Sequence, residues 1–84
     1  MQSYDPRGIT TDGTNLYVAD SSNHLIRKIV ISTGAVTTLA GTVDNGSANG
    51  TGTSASFNYP RGITTDGTNL YVADRDNHLI RKIE

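Results

Sequence analysis

The chain of 84 residues has no cysteine, no tryptophan and only two prolines. Without cysteine, no disulfide can staple a chain near the size at which one hydrophobic core supplies only a few kcal/mol. We therefore expect part of its stability to come from elsewhere. A lack of cysteine is typical of a reducing cytosol and also common in exported bacterial proteins, so it leaves the compartment open.

An excess of charge of either sign is also missing. Seven lysine and arginine residues balance eight aspartate and glutamate residues, for a net charge of −1. This balance creates no basic field for phosphate backbones or anionic membranes, which argues against nucleic acid as a partner. No apolar run reaches the roughly 18 to 20 residues that cross a bilayer, and the first residues do not resemble a signal peptide. We expect a soluble chain without a membrane partner.

The chain does contain an internal repeat. Residues 6–29 recur 54 positions later as residues 60–83, and the two copies differ only where Ser21 and Ser22 are replaced by Arg75 and Asp76. A repeat of this period predicts a propeller or a solenoid, in which one supersecondary unit is copied whole.

Each copy contains short β-prone runs separated by polar turn residues. The runs of the first copy predict a four-stranded antiparallel meander, and the second copy repeats its first three strands. The predicted strands of the first copy are Gly8–Thr11, Leu16–Ala19, Leu25–Ile31 and Val36–Ala40.

The second strand of the repeat is apolar on both faces. Leu16 and Val18 lie on one face, and Tyr17 and Ala19 lie on the other. A sheet wetted on one side would alternate apolar with polar residues, so this pattern favours a blade covered on both sides. We expect Arg27 and its neighbour Lys28 to mark the approach of the third strand to the periphery.

The repeat divides the chain into three parts. We predict a first blade at residues 1–41, a connection rich in Gly, Ser, Thr and Asn at residues 42–56, and a second blade without its outer strand at residues 57–84. The composition of the connection is compatible with an ordered excursion over the blade and with a flexible link.

The tripeptides at residues 23–25 and 77–79 read Asn-His-Leu and follow the runs PRGITTDGTN and LYVAD. With these flanks, the chain resembles the NHL repeat family over nearly its whole length. The resemblance implies an all-β fold of β-propeller blades, commonly six to a ring, with the first strand innermost and the fourth outermost. The long connection followed by Phe57 resembles a bacterial-type variant. Family members carry a full ring in one polypeptide, whereas this chain has about two blades, which suggests a natural excerpt or an engineered fragment.

Two blades cannot close a ring and leave an apolar face at each end. We therefore predict a homo-oligomer through the blade faces that completes the ring, with three chains for six blades favoured and four chains for eight as the alternative. The third strand of the second copy lacks a partner strand. That edge is free to stay solvated, to pair with another ring or to meet its strand in a longer array.

His24 and His78 are the first candidates for a metal ligand or a general acid and base. Each follows an asparagine in a tight turn close to Asp20 or Asp74. We favour a structural role, in which the imidazole makes a hydrogen bond that pins the turn between the second and third strands.

Four aspartates at strand ends are candidates for paired catalytic carboxylates. We interpret them instead as turn residues that accept hydrogen bonds from the amides just beyond each strand. They are Asp12, Asp20, Asp66 and Asp74.

Six cations recur with the repeat, and a ring would multiply them over its surface. Because acidic residues alternate with them and aromatic residues are few, we interpret them as solvated rim charges or local ion pairs and not as an RNA-binding patch. They are Arg7, Arg27, Lys28, Arg61, Arg81 and Lys82.

The connection offers little chemistry. Gly46, Gly50 and Gly52 lack the flanking elements and lysine of a phosphate loop, and the order of Asp44, Asn45 and Asn49 is not that of a calcium loop. We predict no catalytic, cofactor-binding or metal-binding residues, no cofactor and no enzymatic activity.

Two other functions stay open as alternatives. One is a propeller enzyme of the lyase or lactonase type with a metal in its central channel. The other is carbohydrate binding between blades, for which Tyr4, Phe57 and Tyr59 are the candidate aromatic residues.

Overall fold

The computed structural model describes residues 5–83, which form seven antiparallel β-strands and three single-turn 3₁₀ helices. The helices are Ser21–Asn23, Gly52–Ser54 and Arg75–Asn77. The first sheet contains β1 (Pro6–Thr11), β2 (Asn15–Asp20), β3 (Leu25–Val30) and β4 (Val36–Gly41), and the second contains β5 (Pro60–Thr65), β6 (Leu70–Asp74) and β7 (Leu79–Ile83).

Each sheet is a meander in which neighbours in sequence are neighbours in space, in the orders β1-β2-β3-β4 and β5-β6-β7. This confirms the all-β fold class and the seven predicted strands. The strand ends differ from the prediction by one or two residues. Asp20 belongs to β2 because it pairs with Leu25, and β3 ends before Ile31, whose N–H donates to the carbonyl of Thr14 at 3.2 Å.

The two sheets pack face to face through their inner strands, with β1 against β5. The face of the first sheet that is buried in this contact carries Ala19 and Ile26, both fully buried. The second sheet contributes residues from its opposite face, Leu70 and Val72. Both faces of the repeat are therefore apolar because the contact uses a different face of each copy.

A glycine allows the inner strands to approach closely. A Cβ atom on Gly8 would overlap the backbone carbonyl oxygen of Arg61 in β5. At the equivalent Gly62, a Cβ atom would meet only the Cβ of Ala73, at 3.6 Å. The two glycines have the same sequence context. They differ because the Cβ position of Gly8 faces the second sheet, whereas the Cβ position of Gly62 meets only its own sheet.

The connection between the sheets folds back on itself. The N–H of Gly46 donates to the carbonyl of Phe57, and the N–H of Ser56 donates to the carbonyl of Ala48, each at 3.0 Å. Phe57 and Ala55 are buried in the core between the sheets. The connection is thus an ordered excursion and not a flexible link. The predicted division into residues 1–41, 42–56 and 57–84 stays a prediction.

The helices of residues 5–83 do not have the length and apolar character that a bilayer crossing requires.

Candidate functional site

A buried ion pair joins β6 and β7 of the second sheet. The Arg81 guanidinium in β7 donates to Oδ2 of Asp74 at the end of β6, at 2.9 Å. The Asp74 side chain is fully buried, and the Arg81 side chain is 9% exposed. Arg81 pairs directly with Val72 of β6. Asp74 lies two residues after Val72, so the side chains of Asp74 and Arg81 lie on the same face of the sheet.

The same guanidinium holds the connection against the second sheet. It donates to the carbonyl of Ser56 at 3.0 Å, to the carbonyl of Ala48 at 2.9 Å and to Oδ1 of Asn49 at 3.1 Å. It also stacks over the ring of Phe57, with its central carbon 4.9 Å from the ring centroid. Of the two interpretations of Arg81, the solvated rim charge is wrong, because its side chain is 9% exposed and pairs with Asp74. The connection supplies the other acceptors that its planar donor fork needs.

Asp74 also bonds to the segment that leads into β5. Its Oδ1 accepts from the N–H of Asn58 at 2.8 Å, and its Oδ2 accepts from the side-chain amide of Asn77 at 2.7 Å. Neither Asp74 nor Asp20 caps the 3₁₀ helix that follows it. The prediction that they accept from amides of the turn beyond the strand is confirmed for the side-chain amides of Asn23 and Asn77, while further bonds tie Asp74 to other parts of the blade.

The first copy has an equivalent cluster, in which β4 takes the place of the connection. Oδ2 of Asp20 accepts from the Asn23 amide at 3.0 Å and from Nε of Arg27 at 3.4 Å. The Arg27 guanidinium reaches Oγ1 of Thr38 in β4 at 3.0 Å, where Arg81 reaches the connection. The equivalent arginine therefore bonds to β4 in the first copy and to the connection in the second.

The two histidines have the same backbone but different neighbours. His24 and His78 both adopt the left-handed conformation, with φ of 59° and 56°. Nδ1 of the buried His24 accepts from the N–H of Tyr59 at 3.0 Å, and the two rings meet edge to face at 4.5 Å. The predicted bond within the turn is therefore wrong for His24, which links the two sheets, while the His78 side chain is exposed.

Asp12 and Asp66 behave as predicted, as turn residues in the first hairpin of each copy. Oδ1 of Asp66 accepts from the N–H groups of Thr68 at 2.9 Å and Asn69 at 2.7 Å, and Oδ2 accepts from the Tyr71 hydroxyl at 2.9 Å. These bonds favour the ionised carboxylate, and they lower the pKa of Asp66 from 3.8 to about 2.

The equivalent bonds from Asn15, Thr14 and Tyr17 lower the pKa of Asp12. Burial, with a contribution from the bond to Asp12, raises the pKa of the Tyr17 hydroxyl. The four aspartates therefore serve two separate structural purposes in each copy, one in the hairpin turn and one in the buried cluster.

The other candidate groups are dispersed. Within residues 5–83, no three His, Cys, Asp or Glu side chains are grouped so as to hold a metal ion. The exposed Arg7 pairs with Asp5 at 2.9 Å, and Arg75 pairs with Asp76 at 3.3 Å, as local ion pairs. Phe57 is buried and so offers no exposed platform for a sugar, Tyr59 is 38% exposed, and Tyr4 lies outside the described residues.

Each sheet keeps one free apolar face. The trailing face, on the second sheet, consists of Tyr71, Ala73 and Ile80 and corresponds to the face that the first sheet buries. The leading face, on the first sheet, consists of Ile9 and Leu16 beside Val18, which is only 6% exposed, and it corresponds to the face that the second sheet buries. Ile80 is 76% exposed and Ile9 is 62% exposed.

These blades match a known repeat. The family model of the NHL repeat matches residues 57–83, and residues 60–83 have their near-identical copy at residues 6–29. The chain carries NHL repeats. It is similar to the human NHL repeat-containing protein 2, with 44% identity over 84 residues, and to the Arabidopsis thaliana chloroplast protein SUPPRESSOR OF QUENCHING 1, with 40% identity over 82 residues.

Two solved structures from Bacteroides thetaiotaomicron contain the same arrangement of blades. One is a structural-genomics protein of unknown function, with a TM-score of 0.85 and 36% identity over 92% of this chain. The other is described as an auxiliary nutrient binding protein, with a TM-score of 0.80 and 30% identity over 98% of this chain.

The chain is much shorter than these relatives. The matches cover 94% of the NHL-repeat chain but only 12% of the human protein and 8% of the Arabidopsis protein. In the two solved structures the matched part is 20% and 23% of the chain.

Proposed function

We propose that this chain is a non-enzymatic interaction module, a pair of NHL blades that associates with further copies of itself through its two free faces. The observation that carries the proposal is the asymmetry of the internal contact, which joins one face of the first copy to the opposite face of the second. The trailing and leading faces are the two unmatched halves of that same contact.

The residues of the trailing face repeat those of the buried face of the first sheet. Tyr71, Ala73 and Ile80 stand where Tyr17, Ala19 and Ile26 stand in the first copy. A second copy whose leading face docks there would repeat the internal contact between chains. Such a head-to-tail interface ends in a closed ring when the rotation per blade divides a full turn, which gives three chains for six blades or four chains for eight.

The contact between chains would be weaker than the internal one. At the position equivalent to Phe57, the first copy has Ser3. The interchain contact therefore lacks the buried phenylalanine, and aromatic side chains bury about 150–250 Å² each. It also lacks the covalent connection that holds the two blades of one chain together.

Ile80→Asp tests this proposal by native mass spectrometry and light scattering at micromolar concentration. Ile80 is 76% exposed in the single chain, so a charge there should leave the fold intact while placing an unpaired carboxylate in the interchain contact. We expect an assembled native chain and a folded monomeric variant.

The matched control is Val43→Asp, which makes the same charge change at a 68% exposed residue of the connection that belongs to neither free face. This control should assemble as the native chain does. A native chain that is folded and monomeric at micromolar concentration would contradict the proposal.

Binding of a small nutrient is the second candidate function. Its support is the similar solved structure described as an auxiliary nutrient binding protein, of which this chain matches 23%. A glycan array tests it, since sugars are the ligands that pockets between blades with exposed aromatic residues would take. Stoichiometric metal in the purified protein would instead favour the enzyme hypothesis.

A further inference from the structure

The connection contains the dipeptide Asn-Gly twice, as Asn45-Gly46 and Asn49-Gly50. An asparagine followed by glycine is prone to deamidation, because a residue without a side chain lets its backbone nitrogen turn and attack the asparagine amide. Both asparagines are exposed. Access to solvent therefore does not distinguish the two dipeptides, whereas their hydrogen bonds do.

The first dipeptide is held by its backbone. The N–H of Gly46 donates to the carbonyl of Phe57 at 3.0 Å, and the carbonyl of Gly46 accepts from the side-chain amide of Asn77 at 2.7 Å. The Gly46 nitrogen must give up its bond to Phe57 before it can attack the side chain of Asn45. Among residues 5–83 no group donates a hydrogen bond to the amide oxygen of Asn45.

The second dipeptide has the opposite pattern. Among the described residues no hydrogen bond engages the N–H of Gly50, so this nitrogen has no bond to give up. Oδ1 of Asn49 accepts from the Arg81 guanidinium at 3.1 Å. This donor is fixed in place, because the same guanidinium bonds to Asp74 and to the carbonyl of Ala48.

The Arg81 guanidinium lies where negative charge develops during deamidation. The Gly50 nitrogen gives its proton to hydroxide and forms a bond to Cγ of Asn49, which moves an electron pair onto Oδ1. When this pair returns, the bond between Cγ and Nδ2 breaks, and Nδ2 takes a proton from water and leaves as ammonia. A preorganised donor at the oxyanion lowers the barrier to such an addition.

We propose that Asn49 is a site of spontaneous deamidation at which Arg81 stabilises the oxyanion, and that the bonds of Gly46 protect Asn45. The reaction leaves a succinimide ring, which water opens at either carbonyl to give aspartate or isoaspartate at position 49. The proposal concerns a single chain and does not depend on self-association.

The isoaspartate product would loosen the connection. It adds one methylene to the backbone next to Gly50, at a point where the chain has little room. A Cβ atom on Gly50 would lie 2.9 Å from the carbonyl oxygen of Ser54. We therefore expect hydrogen exchange in residues 46–56 to become faster as the chain ages.

Peptide mapping by mass spectrometry tests the proposal, with the folded chain incubated in mildly alkaline buffer. We expect Asn49 to deamidate at least about tenfold faster than Asn45, because only the Gly46 nitrogen must first lose a hydrogen bond. In concentrated urea the two rates should become similar, since both asparagines are then followed by an unrestrained glycine. The rate at Asn49 should be no lower in buffer than in urea.

Arg81→Lys separates stabilisation of the oxyanion from order in the connection. Lysine lacks the planar fork, so Oδ1 of Asn49 should lose its donor and the rate there should fall about tenfold or more. A purely structural role for Arg81 predicts the reverse, because a looser connection would deamidate faster at both asparagines.

Asn49→Gln is the matched control, since glutamine retains the amide but closes the ring much less readily. This variant should keep its hydrogen exchange unchanged on ageing and should deamidate at Asn45 at the native rate. Faster exchange in the aged variant, as in the native chain, would show that modification at position 49 is not the cause.

Equal rates at Asn45 and Asn49 in the folded chain would overturn the proposal, and so would a higher rate at Asn49 in Arg81→Lys. If Arg81→Lys does not fold, the native chain still decides the role of the arginine. A rate at Asn49 that is lower in buffer than in urea would show that the fold protects this residue and that Arg81 does not promote the reaction.

Discussion

At the scale of residues, His24 and His78 share the left-handed backbone and the same flanking sequence, yet only His24 reaches the next blade. The reason is position along the array, since a second sheet follows the first and no further sheet follows the second among residues 5–83. Such pairs of equivalent residues separate the local role of a side chain from its role between blades.

The histidine pair gives a direct prediction. His24→Ala should lower the free energy of unfolding by about 1–2 kcal/mol more than His78→Ala, because only the first variant leaves the Tyr59 N–H without its acceptor and removes an aromatic contact. The cost of alanine in the left-handed conformation is common to both variants. Urea unfolding measures the difference, and equal losses would show that the contact contributes nothing.

The arginine pair differs for the same reason. Arg81→Ala would leave the buried Asp74 carboxylate without its cation and should cost about 3–5 kcal/mol. Arg27→Ala should cost about 1 kcal/mol, because Arg27 is more exposed and its bond to Asp20 is longer. Thermal unfolding measures both, and losses of similar size would contradict this account.

If Arg81→Ala is too unstable to purify, Arg81→Lys serves in its place. Lysine retains the charge but lacks the planar fork that reaches Ala48, Asn49 and Ser56. We expect this variant to fold with faster hydrogen exchange in the connection.

The hairpin aspartates predict a dependence on acid. The pKa of Asp66 falls from 3.8 to about 2 on folding, so its contribution to stability is complete above about pH 4 and is lost as the pH falls towards 2. The double variant Asp12→Asn and Asp66→Asn should therefore lose less stability than the native chain between pH 4 and pH 2. Urea midpoints across this range measure it, with Asp44→Asn as the charge-matched control. Parallel curves for the native chain and the double variant would count against it.

At the scale of elements, the contact between β1 and β5 depends on the absence of a side chain at Gly8. Gly8→Ala would overlap the Arg61 carbonyl and should cost about 1–3 kcal/mol. Gly62→Ala has room in the single chain and should be neutral or slightly stabilising, because alanine restricts the unfolded chain. Unfolding of the two variants under conditions that keep both monomeric tests this, and equal effects would disprove it.

At the scale of the whole molecule, Gly62 is expected to occupy in an assembly the position that Gly8 occupies within the chain. Its added methyl group would then overlap the Arg7 carbonyl of the next copy. If the chain assembles, the melting temperature of the native chain should rise with protein concentration, by mass action. In Gly62→Ala it should be independent of concentration, and a similar rise in both would argue against the proposed interface.

The strand order and the hairpin turns could be predicted from the sequence because they depend on neighbours close in the chain. Asp66 bonds to residues two, three and five positions away, and each strand pairs with the next. The repeat also predicted that both faces of a blade are apolar. These features follow from local chemistry and from periodicity alone.

The roles of Arg81 and His24 were decided only by the tertiary structure. Their partners Ala48 and Tyr59 lie 33 and 35 residues away in the chain and belong to the connection or to the other copy. Two near-identical sequences gave two different environments, because burial depends on which sheet lies against each copy. By itself the sequence therefore determined the blade, and the packing of one blade on the next determined what each polar side chain binds.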